Sequence, residues 1–281
     1  MKESGYMRWA VIGAVLLAGI FALRAADPEP PAAIFADKGL EKAVRQFVLE
    51  KRDTDKPLTE GDLANLSTIK GNGMNITNLA GLEKCVNLAM LELGNNKITD
   101  LSPLKAMSKL QYLHVATNLI EDLSPLASVK ALQYLELSHN QVKDVTPLQG
   151  LTNMASLYLG FNRIEDVAAL AGLPRMSSIY LDHNRITTLP SGNKWRGLFT
   201  FSANDNSITS LQPIINLTNL YWLMIENNKV SDLGSWPIMD TQHATNEFLP
   251  FLNLYIKGNP LDGAAKGKLK RLKEIGTKVN F

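Results

Sequence analysis

The chain has 281 residues, 45% of them hydrophobic and 20% charged, which is the composition of a folded protein rather than a disordered one. Residues 1–26 hold three of the 29 basic and one of the 27 acidic residues, which leaves 26 of each. This zero net charge gives no reason to expect nucleic acid or an anionic membrane as a partner. Cys85 is the only cysteine, so no internal disulfide can form and the core alone must hold the fold.

The N-terminal 26 residues predict a secretory signal peptide. Lys2 and Arg8 precede 15 uncharged apolar residues, and the small residues of "RAAD" follow. That apolar run is shorter than the roughly 20 residues of a spanning helix. An uncleaved N-terminal anchor is the alternative, because Leu23 or Arg24 would occupy the third position before the cut. The Pro-rich residues 27–33 predict a flexible leader.

Residues 34–66 predict a helical N-terminal cap. Asp37 is suited to begin a helix, and Thr59 with Asp62 forms the pattern of a capping box. The apolar residues at helical spacing are Leu40, Val44, Phe47 and Val48.

A 22-residue repeat fills residues 67–260, in about nine units. Each unit is typified by "YLELSHNQVKDVTPL" (134–148), in which an Asn follows the pattern L-x-L-x-x. Such a period indicates a leucine-rich repeat solenoid. Two units are irregular. In the first, Met74 occupies the position of the repeated Asn, and in the last, an insertion near 239–248 lengthens the unit. The repeated residues are Asn96, Asn118, Asn140, Asn162, Asn184, Asn206, Asn228 and Asn259.

The repeated residues describe a stack of coils with a shared core. Apolar residues three, five and eight positions before each Asn, and two and five after it, are expected to point inward, where stacked coils bury them. Cys85 occupies another repeated position whose side chains should point inward and stack from coil to coil in a column, so we expect an inert buried thiol. The Asn amide is expected to bond the backbone of the turn. A 22-residue unit leaves too little chain on the convex face for a full helix, so turns or 3₁₀ segments are expected there. Prolines recur in this part of the unit: Pro103, Pro125, Pro147 and Pro213.

Residues 261–281 predict a C-terminal helical cap, with a helix around 263–275 and a short tail strand. The segment "KGKLKRLKEIGTK" is strongly basic. We interpret these residues as the solvated face of the capping helix, and docking to an anionic surface is the alternative.

The repeats, of the form L-x-x-L-x-x-L-x-L-x-x-N-x-I-x-D-L-x-P-L, together with the helical cap, resemble the internalin-like class of bacterial leucine-rich repeat proteins over about residues 34–260. The resemblance implies an α/β solenoid with a curved parallel sheet on its concave face, turns or 3₁₀ segments on its convex face, and helical caps at both ends. It also implies an exported protein that binds macromolecules on the concave sheet. Residues 261–281 show neither an Ig-like domain nor a wall-sorting signal, so an invasion role is not expected.

The variable positions six, four, two and one before each Asn should form columns on the concave face. Aromatic residues gather there, with acidic residues beside them, as in a binding hot spot. We predict a diagonal band of Tyr112, Tyr134, Tyr158, Tyr180 and Phe161; packing between neighbouring strands is the alternative. The predicted partner-binding residues are Tyr112, His114, Tyr134, Glu136, Tyr158, Phe161, Tyr180, Asp182, His183 and Trp222.

The sequence predicts no catalytic site, no metal site and no cofactor. His139 and His183 are two strands apart, about 9–10 Å at the usual strand spacing, which is too far to share an ion easily. His183 and Asp205 could meet, but two ligands make a weak site. Ser138 and His139 are adjacent, yet no third member of a triad is evident.

We therefore expect an exported, non-catalytic binding module that recognises a protein, or alternatively a glycan, on the concave face. The competing hypothesis is a structural envelope scaffold without a specific ligand. The expected protein is a monomer without a membrane span after processing, located in the periplasm, on the cell surface or in the medium.

Overall fold

The computed structural model describes residues 33–191, 194–215, 217, 219–234, 253–274 and 276–281. The predicted signal peptide (1–26), residues 27–32 of the predicted leader and the predicted insertion near 239–248 lie outside the described residues. Within the described ranges, no helix combines the length and apolar character needed to cross a membrane.

The described repeats form one parallel sheet in which the strands follow chain order. Every neighbouring pair is in register, so that Leu135 of one strand lies between Leu113 and Leu157 of its neighbours. Each strand has only three residues: β1 (Thr68–Lys70), β2 (Met90–Glu92), β3 (Tyr112–His114), β4 (Tyr134–Glu136), β5 (Ser156–Tyr158), β6 (Ser178–Tyr180), β7 (Thr200–Ser202), β8 (Trp222–Met224), β9 (Asn253–Tyr255) and β10 (Lys278–Asn280).

The core lies behind this sheet, and the middle residue of every strand from β1 to β9 is buried in it. The inward columns join into one continuous cluster through the coils, as the period predicts. Cys85 is fully buried in this cluster, and burial raises the pKa of its thiol to about 12. The buried Trp195, in the same column as Cys85, donates its indole N–H to the Leu170 carbonyl at 2.9 Å. The predicted inward position of Cys85 is therefore confirmed.

The repeated Asn residues bind each coil to the one before it. Asn140 Oδ1 accepts the Ile120 amide at 3.0 Å, and its Nδ2 donates to the carbonyls of Val115 and Leu137 at 3.0 and 2.9 Å. The same bonds recur at the other Asn positions, so buried polar groups of the turn are satisfied throughout the stack. The predicted inward amide is confirmed.

Short 3₁₀ segments form the returning limb, as predicted. An acidic or hydroxyl side chain before several of them accepts a backbone amide of the turn, as Asp144 Oδ1 does from the Thr146 amide at 2.8 Å. Proline occupies the first turn of four segments, where no amide is needed. The segments are Leu82–Lys84, Ser102–Leu104, Ser124–Ser128, Thr146–Gly150, Ala168–Gly172 and Gln212–Ile214.

Helices cover both ends of the sheet. α1 (Lys38–Arg45) begins at Asp37, whose carboxylate accepts amides of Leu40 and Thr77. The capping box of Thr59 and Asp62 begins α2 (Glu60–Ala64). At the other end, α3 (Gly263–Glu274) precedes β10, which adds the last strand beside β9. The α/β solenoid with helical caps, predicted from the sequence, is therefore confirmed.

Candidate functional site

The outer face of the sheet carries the strand side chains that alternate with the buried ones; it corresponds to the predicted concave face. Four tyrosines of this face stack in one row, which we call the tyrosine ladder: Tyr112, Tyr134, Tyr158 and Tyr180. The outer pairs are parallel, with ring centroids 4.2 Å apart for Tyr112 and Tyr134 and 4.7 Å apart for Tyr158 and Tyr180. The middle pair is 5.3 Å apart and tilted by 42°.

The tilt in the tyrosine ladder has a simple cause in the strand register. Tyr112 and Tyr134 are the first residues of β3 and β4, whereas Tyr158 and Tyr180 are the last residues of β5 and β6. The first residue of each strand pairs with the first residue of the next strand. Tyr134 therefore lies directly beside Ser156 and contacts Tyr158 only diagonally. The ladder therefore crosses the outer face obliquely.

Two members of the tyrosine ladder, Tyr134 and Tyr158, have pKa values raised above the ordinary one. Burial raises the pKa of Tyr134 above its ordinary value, and the hydrogen bond to Tyr112 raises it further. Burial also raises the pKa of Tyr158, and the Glu136 carboxylate contributes to both shifts. Both side chains therefore keep their hydroxyl proton.

Phe161 belongs to a second row, contrary to the predicted band. It lies 4.1 Å from the ring of His139 and 4.0 Å from the ring of His183. We call these three residues the edge stack. Their column immediately precedes the repeated Asn, beyond the strand end, where the backbone is left-handed with φ near +55°. This conformation turns the side chain away from the alternating pattern of the strand, which explains why Phe161 does not join the tyrosines.

The left-handed position is costly for the residues of the edge stack. Phe161 has φ +55° and remains 46% exposed, although Asn or Gly would accept this backbone without strain. Elsewhere in the column the chain does use such residues, as at Gly73, Asn95 and Asn227. A strained, exposed aromatic residue where a better-suited residue is available is typical of a functional surface.

The column two positions before the Asn lies between the two rows, and its side chains are small or polar. Gly160 places no side chain between Tyr158 and Phe161, and a Cβ there would meet only ordinary contacts at 3.5 Å or more. Asp182 follows in this column; its Oδ1 accepts the Ser202 hydroxyl at 2.5 Å and the Asn204 amide at 2.9 Å. The predicted site residue Asp182 thus has a fixed position at the end of the tyrosine ladder.

Trp222 lies apart from the tyrosine ladder, in an aromatic cluster near the C-terminal end of the sheet. Its ring is 5.5 Å from Tyr221 and 6.0 Å from Tyr255, and Tyr221 stacks on Phe199 at 4.9 Å. Thr200 and Ser202 of β7 are both buried and contribute no exposed ring between this cluster and the ladder. Phe199 and Tyr221 are not among the predicted binding residues, although both lie seven positions before a repeated Asn, which was a usable signal.

His114 and Glu136 occupy equivalent positions on neighbouring strands. The His114 ring packs over Gly94, where a Cβ would come within 2.5 Å of it, and its buried Nδ1 has no partner among the described residues. Glu136 uses Oε1 to accept the Ser138 amide at 2.8 Å. Glu136 lies close enough to Tyr134 and Tyr158 to contribute to their pKa shifts.

The histidines of the edge stack do not form a metal site with each other, because Phe161 stands between them. His183 Nε2 does reach Asp205 Oδ2 at 3.4 Å. No group of three or more His, Cys, Asp or Glu side chains is placed to hold an ion in the part of the chain that the structure describes.

Comparisons with known proteins identify the architecture that carries these rows. The family described as "Leucine Rich repeats (2 copies)" matches residues 86–128 and 130–172. The structure of internalin C2 from Listeria monocytogenes is 30% identical in sequence with a TM-score of 0.69, covering 82% of this chain and 95% of that one. The chain belongs to the internalin-like class of bacterial leucine-rich repeat proteins.

Two further structures extend the comparison of this internalin-like chain. The L. monocytogenes internalin InlF is 27% identical (TM-score 0.65), with 88% of this chain and 75% of that chain covered. A plant receptor kinase ectodomain from Arabidopsis thaliana, GASSHO1/SCHENGEN3 in complex with CASPARIAN STRIP INTEGRITY FACTOR 2, shares the fold at 20% identity (TM-score 0.63; 79% and 28% covered). A comparison with curated protein sequences gave no match. The fold and these relatives support a protein-binding module.

Proposed function

We propose that this internalin-like protein is a non-catalytic binding module whose ligand is a protein that docks on the outer face of the sheet. The observation that supports this most directly is the pair of stacked aromatic rows, the tyrosine ladder and the edge stack, on the outer face of the sheet. Exposed aromatic clusters with a few charged groups supply most of the affinity in many protein interfaces.

Packing alone does not account for both rows. Stacking between neighbouring strands stabilises a sheet, so the tyrosine ladder by itself could be structural. The edge stack differs, because Phe161 lies at a left-handed backbone position and keeps 46% of its surface exposed. Strain of this kind costs stability of order 1–3 kcal/mol and is common where a protein binds a ligand.

The test removes the centre of the tyrosine ladder. A partner is first captured with wild-type protein, and Tyr158→Ala with Tyr180→Ala is then compared with it by titration. Truncating a hot-spot tyrosine typically costs at least about 2 kcal/mol, so we expect binding to fall at least thirtyfold. The circular dichroism spectrum should remain that of the wild type.

Lys105→Ala is the matched control, since Lys105 is exposed on the returning limb. We expect it to bind like the wild type. If the double variant binds normally, while variants of the exposed lysines of α3 such as Lys266 and Lys270 do not, the ligand docks on the terminal helix instead. A chain without any saturable ligand would favour the envelope scaffold.

Export is the second part of the proposal, supported by the basic start and short apolar run of residues 1–26. N-terminal sequencing of the protein from its native cell should find that at least residues 1–22 have been removed. An intact Met1 in the membrane fraction would instead indicate the uncleaved anchor.

A further inference from the structure

The central outer face is acidic, although the chain from residue 27 onward carries no net charge. In the seven coils from β2 to β8, the four outward columns hold five carboxylates but no lysine or arginine. Eleven basic residues lie within residues 90–234, and all of them fall outside these columns. The five carboxylates belong to Glu92, Glu136, Asp182, Asp205 and Glu226.

Three of these carboxylates have neutral hydrogen-bond donors but no basic partner within the described residues. Glu136 accepts the Ser138 amide, and Glu226 Oε1 accepts the side-chain amide of Asn280 at 3.1 Å. Asp182 uses only Oδ1 for its two hydrogen bonds. In each case one carboxylate oxygen has no hydrogen bond or ion pair to a described residue, although Lys257 follows Glu226 in its column.

The Glu92 carboxylate, on the same face, does have a basic partner. Lys70 reaches it from the neighbouring coil at 2.9 Å, in the column that also contains Glu136. No lysine or arginine occupies the equivalent position next to Glu136, where the neighbours are His114 and Tyr158. A lysine or arginine that pairs with Glu136 must therefore come from outside this column.

The tyrosine ladder ends beside one of these free carboxylates. The residue after Tyr180 in its column is Ser202, which is small and buried, so no further ring stacks on that side. Asp182 lies two residues after Tyr180 in the chain. An aromatic ring next to an unpaired carboxylate is the combination that a guanidinium group recognises, because it stacks on the ring and donates paired hydrogen bonds to the carboxylate.

We propose that the segment docking on this face carries arginine side chains, which pair with Glu136, Asp182 and Glu226 and stack on the tyrosine ladder. The inference rests on the proposed function and names the chemistry of the partner. A neutral ligand such as an uncharged glycan fits less well, because covering these carboxylates without a counter-charge is costly. Arginine is preferred to lysine because only its planar group combines stacking with bidentate hydrogen bonds.

The experiment uses the full-length protein and a fluorescent hexa-arginine peptide, with binding followed by anisotropy at low salt. Hexa-citrulline, which has nearly the same shape without the charge, is the peptide control. The test variant combines Glu136→Gln, Asp182→Asn and Glu226→Gln, which keep a side-chain oxygen for each observed hydrogen bond. The control variant combines Glu50→Gln, Glu121→Gln and Glu165→Gln, which change the net charge equally at exposed positions off the outer face.

We expect hexa-arginine to bind the wild type and the control variant alike, and the test variant about tenfold more weakly, since each exposed ion pair contributes a few tenths to 1 kcal/mol. Equal weakening in both triple variants, equal binding of hexa-citrulline, or no binding of hexa-arginine to the wild type would overturn the inference. If a captured partner is lost with Tyr158→Ala and Tyr180→Ala yet binds the test variant normally, the docking face stands and the arginine partner is wrong.

Discussion

The inward and outward residues of each strand differ in how much they vary from one coil to the next. Leu135 has leucine on both neighbouring strands, whereas Glu136, the next residue in the chain, lies between His114 and Tyr158. Leu135 is fully buried and Glu136 is partly exposed. Adjacent residues on the same strand are thus subject to opposite requirements.

The difference follows from what each side chain must fit. An inward residue packs against the coil before it and the coil after it, so a change of volume is felt in both. An outward residue contacts mainly its two lateral neighbours and solvent, and can change at little cost to stability. Clusters that nevertheless form on the outer face, such as the tyrosine ladder and the edge stack, are therefore the better guide to function.

The largest expected effect comes from the inward column. Leu135→Ala removes a fully buried side chain from a central coil, and we expect the free energy of unfolding to fall by about 2–5 kcal/mol. Glu136→Ala should change it by about 0.5 kcal/mol or less. Urea denaturation of both variants measures the contrast, and equal effects would show that the assignment of inward and outward columns is wrong.

The repeated Asn extends the contrast to polar side chains. Asn140→Ala leaves the Ile120 amide without its side-chain partner in a buried turn. The carbonyls of Val115 and Leu137 each lose one bond but still accept the side-chain amides of Asn118 and Asn162. An unsatisfied buried polar group costs about 1–3 kcal/mol, so we expect a loss of about 2 kcal/mol in unfolding free energy. Gln133→Ala, which removes an exposed amide side chain, is the control and should cost little. A cost for Asn140→Ala no larger than that of the control would mean that water replaces the amide.

The inward half of the molecule was predictable from the sequence because stacking enforces the period. A residue such as Asn140 must meet the same backbone groups in every coil, so its identity recurs every 22 residues and marks the register. The helical caps were predictable for a local reason, since Asp37 and the pair Thr59 and Asp62 satisfy amides at the start of their own helices.

The grouping of the outer residues was less predictable, because it depends on backbone conformation beyond the strand. Period-two reasoning placed Phe161 with the tyrosines, but the left-handed turn directs it to His139 and His183. The signal was present in the sequence, since the same column contains Gly73 and Asn95, which favour that conformation. The separation of Trp222 from the tyrosine ladder depends on ring contacts between strands, which the aligned repeat sequences do not reveal.

The smallest expected effect is a gain in stability on the outer face. It separates the cost of the left-handed backbone from the gain of ring stacking in the edge stack. Thr117 is an exposed, β-branched residue with φ +56° in the same column as Phe161, and it takes part in neither aromatic row. Thr117→Asn should raise the free energy of unfolding by about 1 kcal/mol, because Asn tolerates the left-handed conformation better. Phe161→Asn relieves the same strain but loses two ring contacts of about 0.5–1.5 kcal/mol each, so its gain should be smaller or absent. Urea denaturation of the two variants side by side gives both values. A loss of stability for Thr117→Asn, or a gain for Phe161→Asn as large as that for Thr117→Asn, would contradict this account: the first would show that the backbone is unstrained, and the second that the edge stack contributes nothing to the fold.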